Sequence, residues 1–388
     1  MKIVIFCQVF YPDPSSVGQH MFDLAFELAK KNDVTVITSK NNSNNFNETY
    51  PDNETYKDIK IKRFRNFFGN KKIFFLRFLN QIIFSFQILM YGIINNFDKL
   101  IITTNPIFSS IVGSVIYYFK RNKIYYWVMD INPDEAIASK VIKKSIFTNI
   151  FDFFNSYILK NSKHVFTLDK YMLNNIKKKN YQVKATVIPP WPHENVLTKK
   201  NKKNPFIERY KLKNKFVIMY SGNQTFINPL ESFLKIAKEL DSDNKFKCII
   251  IGNGNLHQKI IEFKNKFNLK NLLILDYLPI KDIKFSLNSA NLHVVTLGDK
   301  MRGIIHPCKI YNLIVLQKPI LYFGPKKSHI SDIIEKFKIG LSFRHSEVKK
   351  AEKAIINLKN KKLKIKKIQN PFKQKNLVKK MVHLISSS

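Results

Sequence analysis

Short apolar runs alternate along the chain with amphipathic stretches, and this rhythm predicts the fold before any motif is read. Residues 3–6 (IVIF) are continuously apolar, followed by a loop with Pro12, Pro14 and Gly18, a helical pattern over 21–30 and an apolar run over 34–38. Unbroken β-rich runs of this length predict strands buried on both faces, and their alternation with helices predicts a parallel sheet covered by helices. Further strands are expected over 59–64, 99–103, 124–129, 164–167 and 186–188, while the polar, Asn-rich stretch 42–58 reads as a surface loop. After Pro189, Pro190 and Pro192 and a lysine-rich stretch, the rhythm restarts. A strand over 216–220 leads to a turn at 221–223 (SGN), a helix over 230–240, a strand over 247–251 and a turn at 252–254 (GNG). The architecture repeats although the sequence does not. The expected class is α/β, with two Rossmann-like, doubly wound domains over 1–192 and 193–370 and a C-terminal helix over 371–388 that returns to the first domain. Open sheets of this kind bind ligands beyond the carboxyl ends of their strands, so a crevice is expected between the domains.

One stretch departs from the rhythm. Residues 73–94 (IFFLRFLNQIIFSFQILMYGII) approach the roughly 20 apolar residues that span a bilayer, but Arg77, Asn80, Gln81 and Gln87 interrupt them. With Lys62, Arg63, Arg65, Lys71 and Lys72 beside it, the stretch reads as an interfacial or partner-buried helix; a true span and an ordinary core helix are the alternatives.

Composition narrows the class. The 388 residues hold 66 Lys and Arg against 28 Asp and Glu, a net charge of +38, yet 45% are hydrophobic, which excludes a disordered basic tail. That charge suits nucleic acid, anionic lipid or a phosphorylated substrate alike. Much of it sits in Lys/Asn-rich runs such as 201–204 and 359–367, which read as solvated faces. Cys7, Cys248 and Cys308 are odd in number and far apart, so they form neither a disulfide framework nor a zinc site, and a reducing compartment is expected. The apolar run 3–6 is too short for a signal-peptide core, so a cytosolic start is expected.

Neither opening strand is followed by G-x-G-x-x-G, and no phosphate-binding loop of the NTPase type occurs, which argues against hydride transfer and nucleotide hydrolysis. Residues 130–135 (DINPDE) fail as a calcium loop, with Glu135 at the sixth position and Val141 at the twelfth. Asp130, Asp134 and Glu135 at a strand end can still accept hydrogen bonds from hydroxyl groups or take a proton. The alternative is that Asp130 or Asp134 caps the following helix. Residues 302–312 (RGIIHPCKIYN) concentrate the most chemistry. Gly303, a proline suited to the first helical position and Lys309 in the first turn make an anion site of free N–H groups, helix dipole and cation. The plainer alternatives are a solvated Lys309, a core His306 and a packing role for Cys308.

These residues carry a likeness. The opening 1–38, TTNPIF (103–108), WVMDINPDEA (127–136), VIPPW (187–191), YSGN (220–223), IIIGNG (249–254) and HPCKIYNLIVLQKPIL (306–321) resemble, in this order, the family 4 glycosyltransferases. The likeness spans nearly the whole chain and is nearest to bacterial enzymes of surface-polysaccharide and colanic-acid-type assembly. It implies a GT-B fold, two Rossmann-like domains facing across a cleft, with the nucleotide-sugar donor held mainly by the second and the acceptor mainly by the first. It further implies a retaining hexosyltransferase that needs neither metal nor cofactor, because basic side chains and a helix N-terminus neutralise the departing diphosphate.

Carried over by position, Gly18 with Ser16 and Gln19 would lie near the donor diphosphate, and Asp134 and Glu135 would face the acceptor. Gly222, Asn223 and Gly254 would border the diphosphate, while Tyr277 and Leu278 would meet the nucleobase. His306, Pro307 and Lys309 would anchor the donor, Lys309 stabilising the leaving group. The family's two glutamates would fall on Ile304 and Asn312, so both carboxylates are missing; the Asn312 amide can still accept from a ribose hydroxyl, but through a neutral, weaker contact. Phe226 and Ile227 stand where the family offers Arg or Lys to the phosphates. The expected protein is a cytosolic, membrane-peripheral glycosyltransferase of envelope or exopolysaccharide assembly, acting on a glycan or lipid-linked acceptor. The regions 62–94 and 147–159 would draw its first domain to an anionic bilayer. Alternatives are a donor-binding, non-catalytic partner of a glycan-assembly complex and, more remotely, a basic nucleic-acid-binding protein; nucleic acid is not the expected partner.

Overall fold

A computed structural model describes all residues except 14, 43–46, 69–73, 180–182, 193–202, 362–367 and 388. Pro14, Lys71, Lys72, Ile73 and parts of the lysine-rich runs therefore lie outside the described residues. The chain divides into two compact units, one of Met1–Pro190, Gly303–His306 and Gln374–Ser388, the other of Trp191–Arg302 and Pro307–Lys373.

The first unit is built on β1 (Lys2–Phe6), β2 (Asp33–Ser39), β3 (Asn53–Tyr56), β4 (Ile59–Phe64), β5 (Lys99–Thr103), β6 (Lys123–Trp127), β7 (His164–Thr167) and β8 (Ala185–Val187). They form one sheet in the order β3-β4-β2-β1-β5-β6-β7-β8, parallel except for the antiparallel edge strand β3. Ile5 pairs with Val36 on one side and Ile101 on the other, all three fully buried, as a central parallel strand requires. The segment 42–58, expected as loop, thus contains β3. Its half-exposed NETY has no apolar alternation, and only pairing to β4 makes it a strand.

The helices are α1 (Ser16–Ala29), α2 (Phe74–Ile94), α3 (Ser109–Lys120), α4 (Asp134–Ala138), α5 (Ile146–Asn161) and α6 (Lys170–Lys179). Helix α3 packs against both α2 and α5. The approach is close because a Cβ on Gly92 of α2 would strike Ile116 and one on Gly113 of α3 would strike Ile158 of α5. The C-terminal helix (Gln374–Ser386) packs on α1, and its end is fixed by two donors: buried Lys99 Nζ, 2.5 Å from the Ile385 carbonyl, and Tyr125 Oη, 3.0 Å away.

The second unit holds β9 (Phe216–Ser221), β10 (Phe246–Ile251), β11 (Leu272–Leu275), β12 (Leu292–Thr296), β13 (Ile320–Phe323) and β14 (Gly340–Phe343). The sheet is parallel in the order β11-β10-β9-β12-β13-β14. Side chains alternate across it: Ile218, Tyr220, Cys248 and Ile250 enter one core, Val217, Met219, Ile249 and Ile251 the other. Its helices are α7 (Pro205–Arg209), α8 (Glu231–Glu239), α9 (His257–Lys266), α10 (Ile280–Ser289), α11 (Lys309–Val315), α12 (His329–Phe337) and α13 (Val348–Lys361). In each sheet the strand order reverses once near the centre, between β1 and β5 and between β9 and β12, which marks where loops diverge and leave room for a ligand.

Candidate functional site

In the second unit the ends of β9 and β10 carry glycines that no other residue replaces easily. Gly222, Gly252 and Gly254 have φ of 144°, 127° and 147°. A Cβ on Gly252 would overlap the Gly222 carbonyl, and one on Gly254 the backbone of Gln224, so two loops touch through bare backbone. Gln224, fully buried, ties them together: its Nε2 donates to the Gly252 carbonyl at 2.6 Å, and its Oε1 lies 2.9 Å from His257 Nδ1. Sequence reasoning missed Gln224, whose only signal is a polar residue just past a glycine turn. Asn223 is braced by Tyr220 Oη, 2.5 Å from its carbonyl, and by Tyr277 Oη, 2.6 Å from its Oδ1. Tyr277 itself is 58% exposed, whereas Leu278 packs on the cluster of Val217, Met219, Ile249 and Ile251.

Lys309 begins α11, with Cys308 as its N-cap. Pro307 therefore precedes the cap and is not the first helical residue, a correction to the expected placement. The lysine is not a solvated surface residue either. Its Nζ sits 3.8 Å from the centroid of the Tyr220 ring, and a Cβ on Gly222 would come within 2.7 Å of it. Lys309 lines a cavity of about 130 Å³ with Ser221, His293 and Asn312, walled by Ile283 and Leu287. Burial pushes its ammonium down to about 7, and the facing Tyr220 ring works the other way by favouring the cation. Burial likewise takes His293 down to about 4, so that ring is neutral at pH 7. The loop position held by Phe226 does receive a cation, since Lys259 Nζ of α9 lies 5.4 Å from that ring's centroid.

In the first unit the N–H groups of Gly18 and Gln19, two residues expected near the diphosphate, both donate to Ser15. Ser15 caps α1, its Oγ accepting from the Gly18 N–H at 3.0 Å, while the Gln19 N–H donates to the Ser15 carbonyl at 3.1 Å. Gly18 is small because Phe10 packs on it: a Cβ there would come 3.3 Å from Phe10 Cα.

The carboxylates after β6 divide. Asp134 pairs with Lys179 Nζ at 3.1 Å, and the same ammonium binds Asp152. Neither Asp130 nor Asp134 caps α4, whose N-cap is Pro133 without a side-chain hydrogen bond. Asp130 is pushed up to about 7 by burial and by the charge of Glu135, whose own carboxyl burial also raises. Asp130 can therefore take a proton near neutral pH, which gives it more chemical scope than the engaged Asp134.

His306 belongs to the first unit, with the segment Gly303–His306. Its Nδ1 lies 2.6 Å from Asp169 Oδ2, both side chains buried, and Asp169 Oδ1 accepts the N–H groups of Tyr171 and Met172 at 2.7 and 2.8 Å. Gly303, at φ 67°, lets this segment lie against the Tyr171 backbone. His306 thus has a partner within the first unit, whereas Pro307, Lys309 and Asn312 belong to the second.

No protein-family model matches the chain. Over 277 residues, 70% of this chain and 69% of the relative, it is 26% identical to a probable glycosyltransferase, WbjE, of Pseudomonas aeruginosa. Among solved structures it is similar to HepE of Anabaena, in complex with UDP and glucose, with a TM-score of 0.75 at 13% identity and all of both chains covered. It is similar also to WaaG, a glycosyltransferase involved in lipopolysaccharide biosynthesis, with a TM-score of 0.65 at 11% identity and all of both chains covered. The fold is GT-B, and in sequence the chain is similar to a probable glycosyltransferase.

Proposed function

We propose that this glycosyltransferase moves a hexosyl group, with retention, from a nucleotide-sugar donor held by the second unit to a glycan or lipid-linked acceptor held by the first, in envelope or exopolysaccharide assembly. The observation that carries the reading is Lys309, half-buried and packed against Tyr220 and Gly222 beside a cavity. As the bond from the anomeric carbon to the diphosphate oxygen breaks, negative charge grows on that oxygen. A cation placed there helps the transition state more than the bound donor. Gly222, Gly252 and Gly254 let backbone approach the diphosphate, and Tyr277 offers an exposed ring to the nucleobase. With a lysine at the leaving group, the reaction requires no metal. Asp130 with Glu135 positions the acceptor hydroxyl, and Asp134 holds Lys179. Uridine diphosphate sugars are the first donors to try, since UDP is what HepE holds. A thermal-shift screen of nucleotides and nucleotide sugars tests the reading, because a ligand bound to the native state raises its stability. A rise of several degrees with one nucleotide is expected; none, together with salt-sensitive RNA binding, would favour the nucleic-acid alternative.

The enzyme is further proposed to work at the cytosolic face of an anionic membrane. On α2 the exposed Phe75, Ile82, Phe86, Met90 and Ile94 recur at helical spacing, while Phe84 and Ile88 of the same helix are fully buried in the unit. That division suits a helix lying at the interface and not one crossing the bilayer. Exposed Phe147, Ile150 and Phe153 of α5 add to the surface, and Lys143 and Lys144 are exposed beside them. Each basic residue near such a membrane contributes roughly 1 kcal/mol. Flotation with anionic but not neutral liposomes is expected, and Phe86→Ser with Phe147→Ser should reduce it; failure to float with either liposome removes the membrane proposal.

A further inference from the structure

A second cavity, of about 250 Å³, lies wholly in the first unit, at the carboxyl ends of β1, β2 and β4 and against the first turns of α2. Its chemistry is uniform. Of the ten described residues that line it six are Asn or Gln, with Ser39, Phe68, Val9 and Arg77, and none of the ten is a carboxylate. This is below the roughly 300–1,000 Å³ of drug-sized sites, so it has room for one monosaccharide and not for a nucleoside diphosphate.

The amides are held in place by one another. Gln81 Nε2 donates to Gln8 Oε1 at 2.6 Å while its own Oε1 accepts the Ile107 N–H at 3.1 Å. Asn66 Nδ2 donates to Ser39 Oγ at 2.7 Å, and Asn41 Oδ1 accepts the Asn66 N–H at 3.0 Å. Asn80 accepts from the Phe67 and Phe68 N–H groups, which fixes the segment carrying the cavity's aromatic ring. The network is one member short: Asn66 Oδ1 is enclosed without a hydrogen-bond partner. An enclosed polar atom of this kind needs an explanation, and a ligand or water hydroxyl supplies one.

We propose that this cavity is the subsite for a glycosyl residue of the acceptor that carries an anionic group, a carboxylate or a phosphate. The inference rests on the glycosyltransferase reading and narrows its acceptor. Amides both donate and accept, as each sugar hydroxyl does, and a ring face of Phe68 suits the apolar C–H face of a pyranose. Among the described residues that line the cavity Arg77 is the one that carries a charge, and guanidinium pairs with carboxylate or phosphate through two parallel hydrogen bonds. A carboxylate-free wall with one arginine selects against an amino sugar and for an acidic one.

Saturation-transfer NMR on the full chain, with methyl β-D-glucuronide, glucose 1-phosphate and methyl β-D-glucoside as probes, tests this. At least one acidic probe should bind about tenfold or more tightly than the glucoside. That preference should vanish in Arg77→Gln and return in part in Arg77→Lys. Arg77 is exposed, so these variants fold, and their melting temperatures should match the parent's. The stronger acidic probe identifies the source of the charge. Nucleotide added to saturation should leave the binding intact, which separates this cavity from the donor site. Equal binding of all three sugars, binding unaffected by Arg77→Gln, displacement by nucleotide, or no binding would each overturn the proposal. If the same protein still shows a thermal shift with nucleotide, the glycosyltransferase reading stands and only the subsite falls.

Discussion

The two units share a parallel sheet but present different chemistry at its carboxyl end. In the second unit, Gly222, Gly252 and Gly254 strip side chains from the loops after β9 and β10, so the surface offered there is backbone with the half-buried Lys309. In the first unit the loop after β1 is closed by Ser15 capping α1, and the surface beside it is a set of side-chain amides. Bare backbone admits the close approach a diphosphate needs; amides match hydroxyl groups. On the proposed reading, the contrast puts the donor in the second unit and the acceptor in the first.

The heaviest blow to this contrast should come at Lys309. Lys309→Ala is expected to lower turnover about 10²-fold or more, in the range seen when one electrostatic stabiliser is removed, with a smaller loss in donor affinity. Steady-state kinetics at saturating donor check it, and turnover equal to the parent's would return Lys309 to a packing role.

Glycine substitutions test the contrast by stability. Gly252→Ala places a Cβ against the Gly222 carbonyl at φ 127°, and a residue held in so sparse a region costs about 1–3 kcal/mol even before the clash. Urea denaturation should show a lowered midpoint. Gly18→Ala, in ordinary helical backbone, meets Ser15 Oγ at 3.1 Å and Phe10 Cα at 3.3 Å, and improved helix propensity offsets that crowding. A net change under about 1 kcal/mol is expected there, and a larger loss of nucleotide binding than at Gly252 would reverse the donor assignment.

Protonation sharpens the comparison further. Burial holds Lys309 near 7 without ligand, and a bound diphosphate favours its charged form. Donor binding should therefore take up a proton, and donor affinity should weaken as pH rises above 7, by up to about tenfold per unit. Calorimetry at pH 8 in buffers of different ionisation enthalpy reads this directly, and Lys309→Ala should abolish it. In the ligand-free protein the sign is opposite. The unfolded lysine holds its proton up to its ordinary value, so this residue's destabilising effect is full below about 7 and fades as pH rises. The smallest effect is expected from Tyr277→Phe, which removes a 2.6 Å hydrogen bond to Asn223 worth about 0.5–1.5 kcal/mol.

Much of the fold was legible because parallel strands buried on both faces write themselves as apolar runs, as IVIF in β1 and CIII in β10 do. The start of α1 was not, because the apolar pattern begins at Met21 while the cap at Ser15 sets the helix five residues earlier. Edge strand β3 was hidden for the converse reason: NETY buries no face of its own. At the candidate site, the sequence singled out Lys309 by its pattern and Gly222 and Gly254 by resemblance, but not their surroundings. That Gly18's amide serves Ser15, that Asp134 holds Lys179, and that His306 meets Asp169, 137 residues away, are tertiary facts with no local signature. The amide cavity was illegible too, since Gln8, Ser39, Asn66 and Gln81 converge only once β1, β2 and β4 lie side by side.

Hydrogen–deuterium exchange on adding the nucleotide sugar that gives the largest thermal shift tests the division of labour most directly. Protection is expected at 220–226, 252–257 and 308–313 in the second unit, and it should be lost for the Gly252→Ala protein. Protection confined to the loop before α1 and the amide cavity of the first unit would contradict the account.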